Sequence, residues 1–210
     1  MIGIIDYGMG NLYSVSKALE RMNYNYVISS SPEELSKAKG LILPGVGSFK
    51  DAIEILNETG LAYFIKETVA AGTPLLGICL GMQLLFEESE ENGISEGLGL
   101  LQGKIVKIPG VTSSGETYKV PHMGWNELEN RNPSPLLEDV DGGHVYFVHS
   151  YYATTTDQDI VLASSIYNVE VPAVVGKGNV FGTQFHPEKS SELGLTILRN
   201  YAAIVEERVS

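Results

Sequence analysis

The feature that most constrains the fold is a series of short, near-continuously apolar runs separated by segments with helical spacing. Met1 to Asp6 precedes a helix-like Leu12 to Met22, and Tyr24 to Ser29 follows. Leu41 to Leu43 precedes Phe49 to Leu56, and Leu75 to Ile78 precedes a helix expected over Leu80 to Phe86. A strand with one wet face alternates apolar and polar residues, whereas a strand covered on both faces has no polar side to show. Uninterrupted runs linked by helices therefore predict βαβ units in a parallel sheet. The acidic stretch Glu87 to Glu91 suits a solvated helix end. Beyond it the runs shorten and Gly and Pro punctuate them: Gly103 to Ile108, Lys119 to Val120, Val145 to His149, Ile160 to Ile166 and Val180 to Phe185. This half is expected to be strand-rich. Ser191 to Val205 reads as a closing amphipathic helix, with Leu195, Leu198, Tyr201 and Val205 at helical spacing. With 210 residues, 43% of them hydrophobic, the chain can bury a full core and fits one large domain over 1–210 better than two small ones. The expected architecture is α/β: an open, mostly parallel central sheet with flanking helices and additional antiparallel strands.

The formal net charge is −12, so nothing attracts the chain to phosphate backbones or anionic lipid, and no nucleic-acid partner is expected. No basic run precedes the apolar stretch in MIGIIDYGMG, and no window reaches the roughly 18 apolar residues of a membrane span. A soluble, cytoplasmic protein is expected, without membrane association. The single cysteine precludes an intramolecular disulfide or a multi-thiolate zinc site, and neither metal nor cofactor is expected. A lone intracellular Cys with histidines elsewhere is a candidate nucleophile, although on its own a lone Cys is more often core filler.

Cys79 has more behind it than that rule. Gly77-Ile78-Cys79-Leu80-Gly81 has the form Gly-x-nucleophile-x-Gly between an apolar strand and a helix. A sharp strand-to-helix turn strains the nucleophile's backbone, and flanking glycines let neighbouring chain approach closely. The thiol then stands at the carboxyl end of the sheet, where open α/β folds bind ligands. There the helix N-terminus favours thiolate, and the backbone N–H of Leu80 points at any oxyanion formed on an attacked carbonyl. The bland alternative is a buried Cys beside two packing glycines.

Of the four histidines, His186 has the informative setting, because His186-Pro187-Glu188 follows the strand-like Val180 to Phe185. Proline favours an extended conformation at His186, and i, i+2 positions in extended chain project to the same side. Glu188 can then accept the imidazole N–H, fix its tautomer and stabilise the imidazolium formed when the ring takes the thiol proton. The tripeptide alone reads more readily as a surface turn, and nothing in the sequence brings Cys79 and His186 together.

GICLGMQ over 77–83 and QFHPE over 184–188 closely resemble the signature of the class I glutamine amidotransferases, and LPGVG over 43–47 resembles that family's oxyanion loop. IDYGMGNLYSV over 5–15, PHMGWN over 121–126 and QFHPEKS over 184–190 are similar to the branch that serves imidazole glycerol phosphate synthase. The resemblance covers essentially the whole chain. It implies a flavodoxin-like glutaminase fold, Cys79 as nucleophile, His186 as acid and base, Glu188 as its orienter, and an oxyanion site at Val46, Gly47 and Leu80. It further implies substrate contacts at Gln83, Ser150 and Tyr151, although Gln83 by spacing alone is equally a solvated first-turn residue. The implied partner is a HisF-type (β/α)₈ cyclase subunit, met through Asn11, Met123, Trp125 and Lys189; Trp125 reads equally as core. Other acceptors remain open, among them sugar-modifying synthases, as does a cysteine hydrolase acting on peptides. A dinucleotide-binding module is a different kind of alternative, since Gly8-Met9-Gly10 follows the first strand, but Tyr13 stands where the third glycine of that fingerprint belongs.

Overall fold

The computed structural model describes residues 1–207. The apolar runs of the first half become β1 (Ile2–Ile5), β2 (Tyr26–Ser29), β3 (Gly40–Gly45) and β4 (Leu75–Cys79). Between and after them lie α1 (Leu12–Arg21), α2 (Pro32–Leu35), α3 (Phe49–Glu58), α4 (Leu61–Ala70) and the single turn α5 (Leu80–Gln83). Ser31 and Ser48 cap α2 and α3 by accepting the N–H groups of Glu34 and Asp51. The second half supplies β5 (Phe86–Ser89), β6 (Ser95–Glu96), β7 (Leu101–Lys107), β8 (His122–Asn130), β9 (Gly143–His149), β10 (Tyr151–Thr154), β11 (Val161–Ile166), β12 (Glu170–Lys177) and β13 (Val180–Thr183). α6 (Ser191–Glu207) follows.

Nine strands form one sheet in the order β2-β1-β3-β4-β13-β12-β11-β8-β9. The five from β2 to β13 are parallel, and β12, β11, β8 and β9 extend them antiparallel. A smaller sheet, β10-β7-β5-β6, lies apart. The uniform apolarity of the parallel strands follows from double coverage. Ile42 and Leu76 pack with Leu19, Leu198 and Tyr201 from α1 and α6, whereas Leu41, Leu43 and Leu75 pack with Phe49, Leu56 and Ile65 from α3 and α4. Tyr201 fastens α6 to this core, its buried hydroxyl donating to the carbonyls of Leu41 (2.6 Å) and Pro74 (2.9 Å). Among the described residues, no helix is long and apolar enough to cross a membrane.

Three local expectations are corrected. The helix after Cys79 ends at Gln83 and does not reach Phe86. The carbonyls of Leu84, Leu85 and Phe86 instead accept N–H groups from 98–101, which pulls this stretch into the smaller sheet. The acidic run 87–91 is consequently strand and strand end, not a solvated helix terminus. Its carboxylates hold backbone: Glu87 accepts the N–H of Gly103 (2.8 Å), Glu90 that of Lys107 (2.7 Å) and Glu91 that of Phe49 (2.8 Å). Lys119 and Val120 lie in a loop between the Val111–Thr117 bridge and β8, without ladder pairing.

Candidate active site

Cys79 ends β4, and its backbone sits at φ 55°, ψ −111°, a region that a residue with a Cβ enters only under strain. The turn is this sharp because the chain passes very close to itself. A Cβ on Gly77 would lie 2.5 Å from the Gly81 carbonyl oxygen, and one on Gly81 would lie 1.8 Å from that of Leu43. Because α5 is a single turn, what faces a reacting carbonyl is the backbone at its start, more than the dipole of a long helix.

β13 runs parallel to β4, with Thr183 opposite Ile78. The two carboxyl ends are therefore neighbours, and His186 comes to Cys79 across a separation the sequence left open. Glu188 reaches His186 by a route different from the one expected: Pro187–Lys189 forms a turn of 3-10 helix, not extended chain. Within that turn, Nδ1 of His186 still lies 2.8 Å from Oε1 of Glu188, with the side chains 3% and 1% exposed. The carboxylate accepts the Nδ1–H, leaving Nε2 for Cys79. Burial by itself depresses the His186 pKa, but hydrogen bonds to Cys79 and Glu188, with their charges, outweigh it and raise it to about 10. Backbone bonds fix the turn: His186 N–H donates to the Tyr146 carbonyl (3.1 Å), and the Ser190 hydroxyl donates to that of His186 (2.7 Å).

A cavity of about 310 Å³ opens at this point, lined by Cys79 and His186 together with all six residues expected at the oxyanion and substrate sites: Val46, Gly47, Leu80, Gln83, Ser150 and Tyr151. Gly47 has φ +103°, which favours a residue without a Cβ, and Met9 packs against it. Tyr7 donates to the Pro44 carbonyl (2.8 Å), and Gly10 rests on the Pro44 ring. The glycine-containing turn after β1 thus buttresses the 46–47 loop. Gln83 is buried, not solvated; its amide nitrogen donates to the Tyr151 carbonyl (2.9 Å) and to Oε1 of Gln184 (3.1 Å).

Sequence reasoning missed Glu91 and Val148, and it gave His149 and Gln184, both within quoted segments, no role of their own. Glu91, Val148 and His149 line the cavity, and Glu91 is the carboxylate hidden within the supposed helix end. The thiol of Cys79 lies 3.9 Å from the Val148 carbonyl, and Gln184 Nε2 lies 3.9 Å from the sulfur. Gln184 sits inside the QFHPE motif but carries no charge or spacing that singles it out. Burial pushes the His149 pKa down to about 3, against a partial offset from the Tyr151 carbonyl and with help from His122 and His186. His122 is likewise pushed down to about 4 by burial, partly offset by Asn126.

These shifts set the sign of a pH effect. His149 binds its proton more readily unfolded, so its contribution to stability is complete above the ordinary value of 6.5 and is lost as pH falls toward about 3. The loss reaches roughly 2 kcal/mol by pH 5. His186 acts oppositely, its contribution complete below 6.5 and lost as pH rises through about 10. Urea unfolding at pH 6.5 and pH 5 is expected to give a lower midpoint at pH 5, with a smaller drop in His149→Asn.

The four residues expected to dock a partner differ in setting. Met123 and Trp125, two apart on β8, are 55% and 49% exposed, and Trp125 meets Tyr146 edge-on with ring centroids 6.0 Å apart, so it is not a core residue. Lys189 is exposed on the turn that holds Glu188. Asn11 is partly buried, and its side chain caps α1 by accepting the Ser14 N–H (3.2 Å).

The chain is similar to known proteins in sequence and in fold. Imidazole glycerol phosphate synthase subunit HisH of Geobacillus sp. (strain WCH70) is 74% identical over 210 residues, covering 100% of both chains. The protein of the same name from Bacillus subtilis (strain 168) is 58% identical over 208 residues, covering 99% of this chain and 98% of its own. A crystal structure of a glutamine amidotransferase superposes with a TM-score of 0.76 at 21% identity over 98% of each chain, a likeness that speaks to the fold alone. The description of glutamine amidotransferase class-I matches residues 3–204. The chain belongs to the class I glutamine amidotransferase family.

Proposed function

We propose that this chain, as one domain, is the cytoplasmic glutaminase subunit of an imidazole glycerol phosphate synthase. It hydrolyses glutamine to glutamate and ammonia and passes the ammonia to a HisF-type (β/α)₈ cyclase subunit in histidine biosynthesis. The observation that carries the reading is a cysteine on a strained turn, facing a buried, glutamate-bound imidazole at the mouth of a cavity. In this reading the Cys79 sulfur attacks the side-chain amide carbon of glutamine while His186 holds the thiol proton. The oxyanion is met by backbone at Leu80 and at Val46 and Gly47. Collapse expels ammonia, protonated from His186, and leaves a thioester. Water, deprotonated by His186, then releases glutamate and restores the thiol. Gln83, Ser150 and Tyr151 hold the substrate, and the Glu91 carboxylate supplies negative charge suited to an α-ammonium group.

A partner follows from the chemistry. Ammonia is mostly protonated near neutral pH and diffuses away, so a synthase gains from a glutaminase docked against it. Met123, Trp125, Lys189 and Asn11 are assigned to that interface. The two exposed apolar side chains favour burial against a partner.

The test is glutamate release by this chain, alone and with a HisF-type cyclase plus its ribulosyl ligand. Stimulation by the ligand-bound cyclase is expected. Activity without stimulation would point to another acceptor, such as a sugar-modifying synthase; inactivity of the folded complex would remove the glutaminase reading. Within the same assay, Glu188→Gln is expected to lower kcat by roughly 10²-fold, less than loss of the thiol, with KM for glutamine little changed. An amide oxygen still accepts the Nδ1–H, but it no longer carries the charge that stabilises imidazolium.

A further inference from the structure

We propose that His149, locked in one tautomer by His122, is a positioning residue that sets the glutamine-binding segment 150–151 against Gln83. The inference rests on the glutaminase reading and adds a role that the catalytic steps do not use. His149 ends β9 directly opposite His122 of β8. Nδ1 of His149 lies 2.8 Å from the Tyr151 carbonyl, and Nε2 lies 2.8 Å from Nδ1 of His122. A carbonyl only accepts, so the His149 proton is on Nδ1. Nε2 is then a bare acceptor, and His122 Nδ1 must donate to it. One placement of protons satisfies both contacts, with the buried Nε2 of His122 left without a hydrogen-bond partner among the described residues. The His122 ring is held in plane by Tyr167 on one side (centroids 3.9 Å apart, 15°) and stacks on Phe147 as well (4.5 Å, 21°).

The Tyr151 carbonyl is shared. It accepts from His149 and also from Gln83 Nε2, and that nitrogen donates in turn to Gln184, whose own amide lies beside the Cys79 sulfur. Ser150, Tyr151 and Gln83 all line the cavity. His149 therefore fixes one wall of the glutamine site relative to the other without touching the reacting atoms. Losing its donor leaves a partly buried carbonyl held from one side only, and the segment is free to shift.

The experiment compares His149→Leu and His149→Asn with the wild type, each in complex with the cyclase. His149→Leu is expected to raise KM for glutamine about tenfold with kcat within about threefold of wild type. His149→Asn, whose amide N–H stands near the position of Nδ1, restores KM to within about threefold. Alkylation of Cys79 by iodoacetamide, which makes no use of the glutamine contacts, stays at the wild-type rate in both. Should His149→Leu not fold, His122→Phe keeps the stacked ring, removes the tautomer lock and is expected to raise KM in the same direction. An unchanged KM in an active background overturns the proposal. So does an Asn variant as impaired as Leu, which marks a packing role, or a fall in alkylation and kcat that matches the rise in KM. An inactive wild type overturns the glutaminase reading itself.

Discussion

Cys79→Ala is expected to lower glutamate release in the complex by at least about 10⁴-fold while the fold survives. The loss is this large because, in the proposed mechanism, the sulfur forms the bond to substrate, so without it neither His186 nor the oxyanion backbone has an intermediate to act on. The fold survives because the side chain contributes little to it. Besides its hydrogen bond with His186, the sulfur lies 3.9 Å from the Val148 carbonyl and 3.9 Å from Gln184 Nε2, and alanine meets the same backbone strain as cysteine at φ 55°. The stability cost is expected near 1 kcal/mol, read by urea unfolding. The variant also reports on the electrostatics. Because Cys79 helps to raise the His186 pKa, the imidazole should titrate lower once the sulfur is gone, which NMR of the ring protons reads. Glutamine turnover retained by this variant would sink the mechanism.

Gly81→Ala is expected to cost about 3 kcal/mol or more, the largest stability effect among substitutions of a single added methyl group. The added carbon would stand 1.8 Å from the Leu43 carbonyl oxygen and 2.8 Å from its carbon, and both are backbone of a central strand that cannot swing aside. Either β3 or the turn carrying Cys79 must move. Leu43 leads directly into the loop of Val46 and Gly47, so activity should fall with stability even where the protein remains folded. Gly60→Ala provides the comparison. Gly60 has φ +76° but open space around its Cβ position, so that change should cost only the roughly 1–2 kcal/mol of left-handed strain and leave turnover unchanged. Urea midpoints and glutamate release measured on the two variants separate close approach from backbone conformation.

What the sequence disclosed follows from where each signal originates. Leu41, Ile42 and Leu43 are apolar in succession because helices cover both faces of β3, and that pattern survives in the primary sequence. β8 was not legible: His122–Asn130 reads HMGWNELEN, mixes buried and exposed positions, and includes Gly124 at φ +135°. β12 was obscured by Pro172, a residue that argues against a strand interior. The Cys79 turn was legible because its cause is local, two glycines within two residues of the thiol. The contact of Glu188 with His186 was expected from the sequence but through a different backbone shape, since proline opened a helical turn there. The meeting of Cys79 with His186 depends on β13 lying beside β4, and the His122–His149 pair on the register of β8 with β9. Neither leaves a mark at short range. Glu91 was hidden by its neighbours, a run of acids that resembles solvated surface until one sees which backbone N–H groups they hold.

The most direct test of the central claim treats the protein, in complex with the cyclase, with a glutamine analogue bearing an alkylating diazoketone in place of the side-chain amide. Intact mass and peptide mapping then locate the adduct. A single adduct on Cys79, suppressed by excess glutamine and absent in Cys79→Ala, is the predicted result. An adduct elsewhere, or none at all while iodoacetamide still labels Cys79, would contradict a glutamine-specific nucleophile at this position.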